Sequence, residues 1–214
     1  MHETLDTLLS RKNQRFICIN TAGPELDSER HIAKVRHDVA PPLASDELDQ
    51  LRHQLGEMSE VLEFYRRWGS ARLYCDTVYN EPIGYAAAFF IAAPASWPVL
   101  REGFEDWLDD LDEDERAELL PEWCDRCVAI GEIPNSGNYF LLPIEGNERG
   151  KVFMFDHDGF EFTERGQNFE EFIKTLCTVN DALLQEIRGH TRYSNGKTAV
   201  QWLCQQYLYD EGDT

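Results

Sequence analysis

The clearest patterning in the chain lies between residues 128 and 163. Four apolar runs, 128–133, 139–144, 151–156 and 160–163, alternate with polar turns at 135–138, 146–150 and 158–159. Runs of this length bounded by Gly, Asn and Asp predict strands joined by tight turns. The pair Asp158-Gly159 between two apolar runs predicts a hairpin turn that needs a positive φ. Asn168 then stands where an N-cap belongs, with Glu170 and Glu171 in the first turn of a helix. Phe169, Phe172, Ile173, Leu176, Leu183, Leu184 and Ile187 keep helical spacing. They predict one helix running to about Arg188 and stopped by Gly189.

Upstream, Ser45 reads as an N-cap, and Leu48, Leu51, Leu55, Met58, Leu62 and Tyr65 recur at three-four spacing. That predicts one long core-facing helix, with Gly69 as its stop. Residues 72–79 read as a strand. Residues 83–93 are apolar on both faces and fit either a buried strand or a buried helix. Pro94 and Pro98 bracket a turn, with Ser96 as a cap. Leu100, Phe104, Trp107, Leu108 and Leu111 then form the apolar stripe of an amphipathic helix, and a further helical turn over 115–120 ends at Pro121. Residues 1–42 differ from the rest. A short amphipathic piece (Leu5, Leu8, Leu9) and a strand-like run at 16–20 lead into mixed polar sequence that ends at Pro41-Pro42. Paired prolines disfavour helix, so 1–42 is read as an N-terminal arm and 43–214 as the domain proper. At the other end Ser194-Asn195-Gly196 predicts a hairpin turn, and 199–209 fits strand or helix. The expected class is α+β: a single domain with an antiparallel-rich mixed sheet and helices packed around it.

Composition narrows the function. A chain of 214 residues that is 42% hydrophobic and 12% aromatic can bury a sizeable core. Its formal charge of −20 argues against nucleic acid and anionic membrane as partners. Much of that charge is local: residues 101–125 hold twelve Asp or Glu against two Arg. A charge run of this kind is ordinarily a solvated face, and its functional reading is a docking face for a basic protein. Glu102, Asp106, Asp109 and Asp110 are the helix positions on it expected to meet such a partner. The longest apolar run, 83–95, falls short of the roughly 20 residues that span a bilayer. The start Met1-His2-Glu3-Thr4 carries no secretory signal, and Cys18, Cys75, Cys124, Cys127, Cys177 and Cys204 are scattered. Both observations fit reduced thiols and a cytoplasmic protein.

Two motifs invite chemistry. Cys124 and Cys127 have dithiol spacing, but they precede an apolar strand instead of sitting at a strand-to-helix turn, and no second ligand pair completes a zinc site. Two half-buried thiols entering a strand is the plainer account. Asp156, His157 and Asp158 have the residue types of an acid/base or metal cluster. Alternation along a strand would send them to opposite faces, so a turn with Asp156 bonding local backbone is expected. No nucleophile elbow, phosphate loop or dinucleotide fingerprint is present, and no catalytic, cofactor-binding or metal residues are expected. Gly131, Gly137, Gly150 and Gly159 are read as turn residues.

Taken together, Ile130-Gly131, Gly137-Asn138-Tyr139, the run from Gly150 through Asp156-His157-Asp158, and the helix start at Asn168-Phe169-Glu170-Glu171-Phe172 resemble the SUKH superfamily. The superfamily unites fungal regulators of cell-wall synthesis with bacterial immunity proteins against polymorphic toxins. The resemblance extends more loosely back to the first helix. It implies a SUKH-like α+β fold and a non-enzymatic protein-binding role. The first expectation is an immunity protein that neutralises a basic, nuclease-like toxin domain. A regulatory scaffold of the fungal type is the alternative, and a metal-dependent hydrolase using Asp156, His157 and Asp158 is the third.

Overall fold

A computed structural model describes residues 4–20, 29–78, 87–197 and 201–210. They form an α+β fold of two compact units. Every strand pair named below is antiparallel.

The first unit comprises 1–38, 72–89 and 173–214. It contains α1 (Leu5–Ser10), β1 (Lys12–Asn20), β2 (Arg30–Val39), β3 (Ala71–Asp76), α7 (Asp181–His190) and β9 (Trp202–Asp210). Its strand order is β3-β2-β1-β9, with β1 paired to both β2 and β9. The residues read as an arm thus supply a helix and two strands. β1 alternates as a half-buried strand should: Phe16, Cys18 and Asn20 are buried, and Ile17 and Ile19 are half-buried. Phe16 is the centre of an aromatic core, with ring centroids 5.1 Å from Tyr193, 5.7 Å from Tyr207 and 5.9 Å from Tyr74. Each buried hydroxyl finds an acceptor, as burial requires: Tyr193 donates to the Tyr74 carbonyl at 2.8 Å and Tyr74 to the Leu176 carbonyl at 2.9 Å.

One long helix was expected over 168–188; two are present. α6 (Phe169–Cys177), which the two units share at Phe172/Ile173, ends before Asn180. The Asn180 side chain accepts from Leu183 N–H at 2.9 Å and starts α7. Gly189 lies inside α7 and does not stop it. The segment left open at 199–209 is strand from Trp202 onward; 198–200 fall outside the described residues.

His37 in this unit is held neutral. Its Nδ1 accepts from Tyr74 N–H at 3.1 Å, and its Nε2–H donates to Gln14 Oε1 at 2.6 Å. Burial, then the charge of Arg11, pushes its pKa down to about 3. An unfolded His takes its proton near pH 6.5. The unfolded state therefore binds more protons below that pH, and the stabilisation present above it is lost as pH falls towards 3. Urea unfolding should show a loss of up to about 2 kcal/mol from this group between pH 7 and 5. A His37→Gln variant should lack that part of the slope; parallel pH profiles would contradict this account.

The second unit comprises 39–71 and 90–172. It holds α2 (Ser45–Leu55), α3 (Ser59–Arg67), α4 (Trp97–Glu105) and α5 (Glu113–Leu119). Its sheet is β4 (Phe89–Ile91), β5 (Cys127–Ile133), β6 (Asn138–Pro143), β7 (Val152–Asp156) and β8 (Glu161–Gly166), in the order β8-β7-β6-β5-β4. The expected strands over 128–163 are all present. Of the ambiguous 83–93 segment, 83–86 lie outside the described residues, and the rest contains only the short strand β4. Aromatic rings fill the core, with Phe104 5.0 Å from Phe155, Phe140 4.9 Å from Phe172 and Trp123 stacked 4.5 Å from Phe153.

The helix expected from Ser45 to Gly69 is broken in two. Gly56 adopts φ +65° at the end of α2, and Arg149 Nη2 donates to the freed Leu55 carbonyl at 2.8 Å. The predicted stripe is otherwise right: Leu51, Leu55, Met58, Leu62 and Tyr65 are buried. Ser45 is the first helical residue and Ala44 the cap, its N–H held by Glu47 at 2.8 Å. Gly69 is small for another reason. A Cβ there would lie 2.5 Å from the Pro41 carbonyl oxygen.

Candidate functional site

The acidic segment 101–125 begins on α4. That helix stops at Glu105 instead of running to Leu111, and electrostatics explain why. Glu102/Asp106, Glu105/Asp109 and Asp106/Asp110 are like-charge pairs at four-residue spacing, and all five acids would sit at the negative end of the helix dipole. The chain turns instead, with bonds from Trp107 N to Phe104 O (3.2 Å) and Leu108 N to Glu105 O (2.8 Å). Asp106 is the C-cap, and Asp109 and Asp110 lie in the turn beyond the helix. All twelve carboxylates of 101–125 are exposed. The two arginines are drawn inward: Arg101 Nη1 donates to the Cys124 carbonyl (2.8 Å), and Arg116 Nη2 to the Leu108 carbonyl (2.6 Å). Apart from Glu105, paired with Arg101 Nε at 2.6 Å, the acids therefore face solvent with little counter-charge from their own segment.

Trp107, read from the sequence as a core residue, is 42% exposed. Because the helix has ended, its ring lies over His157 with centroids 4.5 Å apart. Two glycines make room. A Cβ on Gly137 would come 2.8 Å from Trp107 Cζ2, and one on Gly103 would come 2.7 Å from the Tyr139 hydroxyl. Tyr139 is half-buried and its pKa is raised, first by burial and then by the charges of Glu132 and Asp106, while a hydrogen bond from Trp107 opposes the shift. His157 Nδ1–H donates to Asn138 Oδ1 at 2.9 Å, and its backbone N–H donates to the same oxygen. Buried Asn138 thus fixes the imidazole under the indole. The exposed tryptophan is the functional candidate that sequence reasoning missed. The only hint was its place among Asp106, Asp109 and Asp110.

Asp156, His157 and Asp158 do converge, contrary to the alternation argument: one ligand atom from each lies within 4.8 Å of the others. The reason is that β7 ends at Asp156, so the next two residues follow a turn. The predicted local bond is present, from Asp158 N–H to Asp156 Oδ1 at 3.1 Å. The positive φ of this turn falls on Phe160 (+52°) and not on Gly159. Gly131 is not a turn residue either; it sits within β5 at a bulge against β6. Among the described residues this trio is the one group of three or more His, Cys, Asp or Glu that could hold a metal ion. Asp158 is largely exposed, and Asp156 and His157 already serve local hydrogen bonds.

Cys124, in the 3₁₀ turn Cys124–Arg126, and Cys127, the first residue of β5, enter the strand as expected, but both are buried and not half-buried. Cys127 Sγ–H donates to the Cys124 carbonyl at 3.1 Å, and Arg101 Nη1–H donates to Cys127 Sγ at 2.8 Å.

The family model described as the SMI1 / KNR4 family (SUKH-1) matches residues 42–175, more than half of the chain. The chain belongs to this family. No curated protein matched it. The SUKH motif residues fall within the second unit: Gly131 at the β5 bulge, Gly137-Asn138 beneath Trp107, Asp156-His157-Asp158 closing the β7 turn, and Asn168 capping α6 through Glu171 N–H at 2.8 Å. SUKH proteins comprise immunity proteins and fungal regulators; they are generally non-catalytic and generally bind protein partners.

Proposed function

We propose that this SUKH protein is a cytoplasmic immunity protein that neutralises a basic, nuclease-like toxin domain by binding it, without catalysis. The observation that carries the reading is Trp107, exposed at 42% in a segment whose twelve carboxylates all face solvent. Aromatic anchors ringed by polar groups dominate binding energy at protein interfaces, and the face of an indole also receives a guanidinium or ammonium. Glu102, Asp106, Asp109 and Asp110 surround it in sequence and supply attraction for that cation. No helix among the described residues is long and apolar enough to cross a membrane.

The test is co-purification with, and inhibition of, the toxin domain encoded beside its gene. A neighbouring toxin that is neither bound nor inhibited would overturn the reading. Trp107→Ala should quicken dissociation of the complex about ten-fold and leave the association rate nearly unchanged. Surface plasmon resonance separates the two, and unchanged dissociation would move the anchor elsewhere. No turnover of esters, phosphodiesters or nucleic acids is expected with or without Mg²⁺ or Zn²⁺. Turnover abolished by Asp156→Asn or His157→Ala would instead support the hydrolase alternative.

A further inference from the structure

Four of the chain's twenty Lys and Arg gather in one place ahead of the family-matched segment. A cavity of about 450 Å³ in the first unit is lined by Arg11, Arg15, Lys34, Arg36 and His37, and by no Asp or Glu. Over the whole chain acids outnumber Lys and Arg by 40 to 20, so four cations in one lining is the reverse of the surrounding composition.

Backbone geometry assembles the cluster. Asn13 adopts φ +49°, and the β1–β9 register shifts between Lys12 and Arg15. A bulge of this kind re-aims the side chains beside it. Arg11, at the end of α1, lies with its guanidinium carbon 4.0 Å from the Tyr209 ring centroid, which restricts its orientation. Arg15 and Lys34 are direct Cα partners across β1 and β2. Like charges in that position repel and destabilise a strand pair unless an anion lies between them. Asp210 meets Arg15 at 3.6 Å and Asp38 meets Arg36 at 3.0 Å, both from outside the lining. Lys34 makes no ion pair among the described residues. His37, neutral through its bonds to Gln14 and Tyr74, is a polar wall that adds no charge of its own.

We propose that this cavity binds a small phosphate-bearing polyanion, such as a pyrophosphate or phosphate ester. The volume lies within the range of small-molecule sites. Guanidinium forks match phosphate oxygens two at a time, and an ammonium adds a mobile point charge. Nothing in this assignment depends on the toxin-binding reading, which concerns the other unit.

Isothermal titration calorimetry with inorganic pyrophosphate at low ionic strength tests the site. One-site binding is expected, weakened at least about ten-fold in Lys34→Glu and unchanged in Arg67→Glu, a charge reversal in the other unit. Lys34 is exposed on β2, so that variant should fold. Amide NMR shifts in the native protein provide a second readout and should centre on Asn13, Arg15, Lys34 and Arg36. Citrate should bind more weakly than pyrophosphate. Absence of saturable binding, equal weakening by Lys34→Glu and Arg67→Glu, shifts centred elsewhere, or citrate binding as tightly as pyrophosphate would each overturn the proposal.

Discussion

Converting Glu102, Asp106, Asp109 and Asp110 together to Lys should slow association with a basic toxin domain by at least about ten-fold at low salt. The four carboxylates are exposed, so each acts through solvent and none contributes a buried, desolvated pair. Exposed charges of this kind act mainly on encounter: they raise the local concentration of an oppositely charged partner and orient it before contact. The effect should therefore fade as salt shortens the Debye length below about 10 Å. Packing should be unaffected, because Leu100, Phe104 and Leu108, the buried residues of α4 and the turn that follows it, are left in place. Two of the substitutions should even favour the local fold. Lys at positions 102 and 106 would place positive charge near the C-terminus of α4, where the helix dipole prefers it. Stopped-flow association at several salt concentrations, beside circular dichroism of the variant, is the measurement. An unchanged rate at low salt in a folded variant would reduce the acidic segment to a solvated face.

The strands and turns of 128–163 were legible in the sequence because their determinants are local: continuous apolar runs, and turn residues between them. What could not be read depends on distant groups. The break at Gly56 needs Arg149, 94 residues on, to satisfy the Leu55 carbonyl. A glycine inside a periodic helical pattern does not announce such a partner. The early end of α4 was present in the sequence as repeated acids four apart, but the apolar stripe through Trp107 was the louder signal. That misreading hid the exposed indole at the centre of the candidate site. The convergence of Asp156, His157 and Asp158 was missed because strand alternation was applied to residues beyond the strand's end at Asp156. The basic cavity was invisible for a different reason. Arg11, Arg15, Lys34 and Arg36 come from two strands and a helix end and form no run, and only the β1–β2 register brings Arg15 opposite Lys34.

Gly131→Ala should be among the most damaging single substitutions in the second unit, at about 3 kcal/mol or more. The sequence grouped Gly131 with the turn glycines, but its role is close approach. A Cβ there would lie 2.2 Å from the Phe90 carbonyl oxygen, 3.2 Å from the Phe90 carbonyl carbon and 3.3 Å from Ile91 Cα. These are backbone atoms of β4, paired to β5 through Phe90↔Glu132 and Ile91↔Gly131. They cannot swing aside as a side-chain end would, so relief requires pulling the two strands apart and losing their ladder bonds. The bulge between Ala129 and Gly131 confirms that the backbone is already irregular at this point. Gly159→Ala is the matched control. Gly159 lies outside the positive-φ region, and its added Cβ would meet only the flexible Glu161 side chain, at 3.3 Å from Cγ. Its effect should stay within about 1 kcal/mol of neutral, with the smaller unfolded-state entropy of Ala acting in its favour. For a chain of this size, about 3 kcal/mol corresponds to a fall in Tm of roughly 6–12 °C. Urea and thermal unfolding of the two variants side by side will decide. Equal stabilities would mean that β4 and β5 are spaced more widely than the 2.2 Å approach requires.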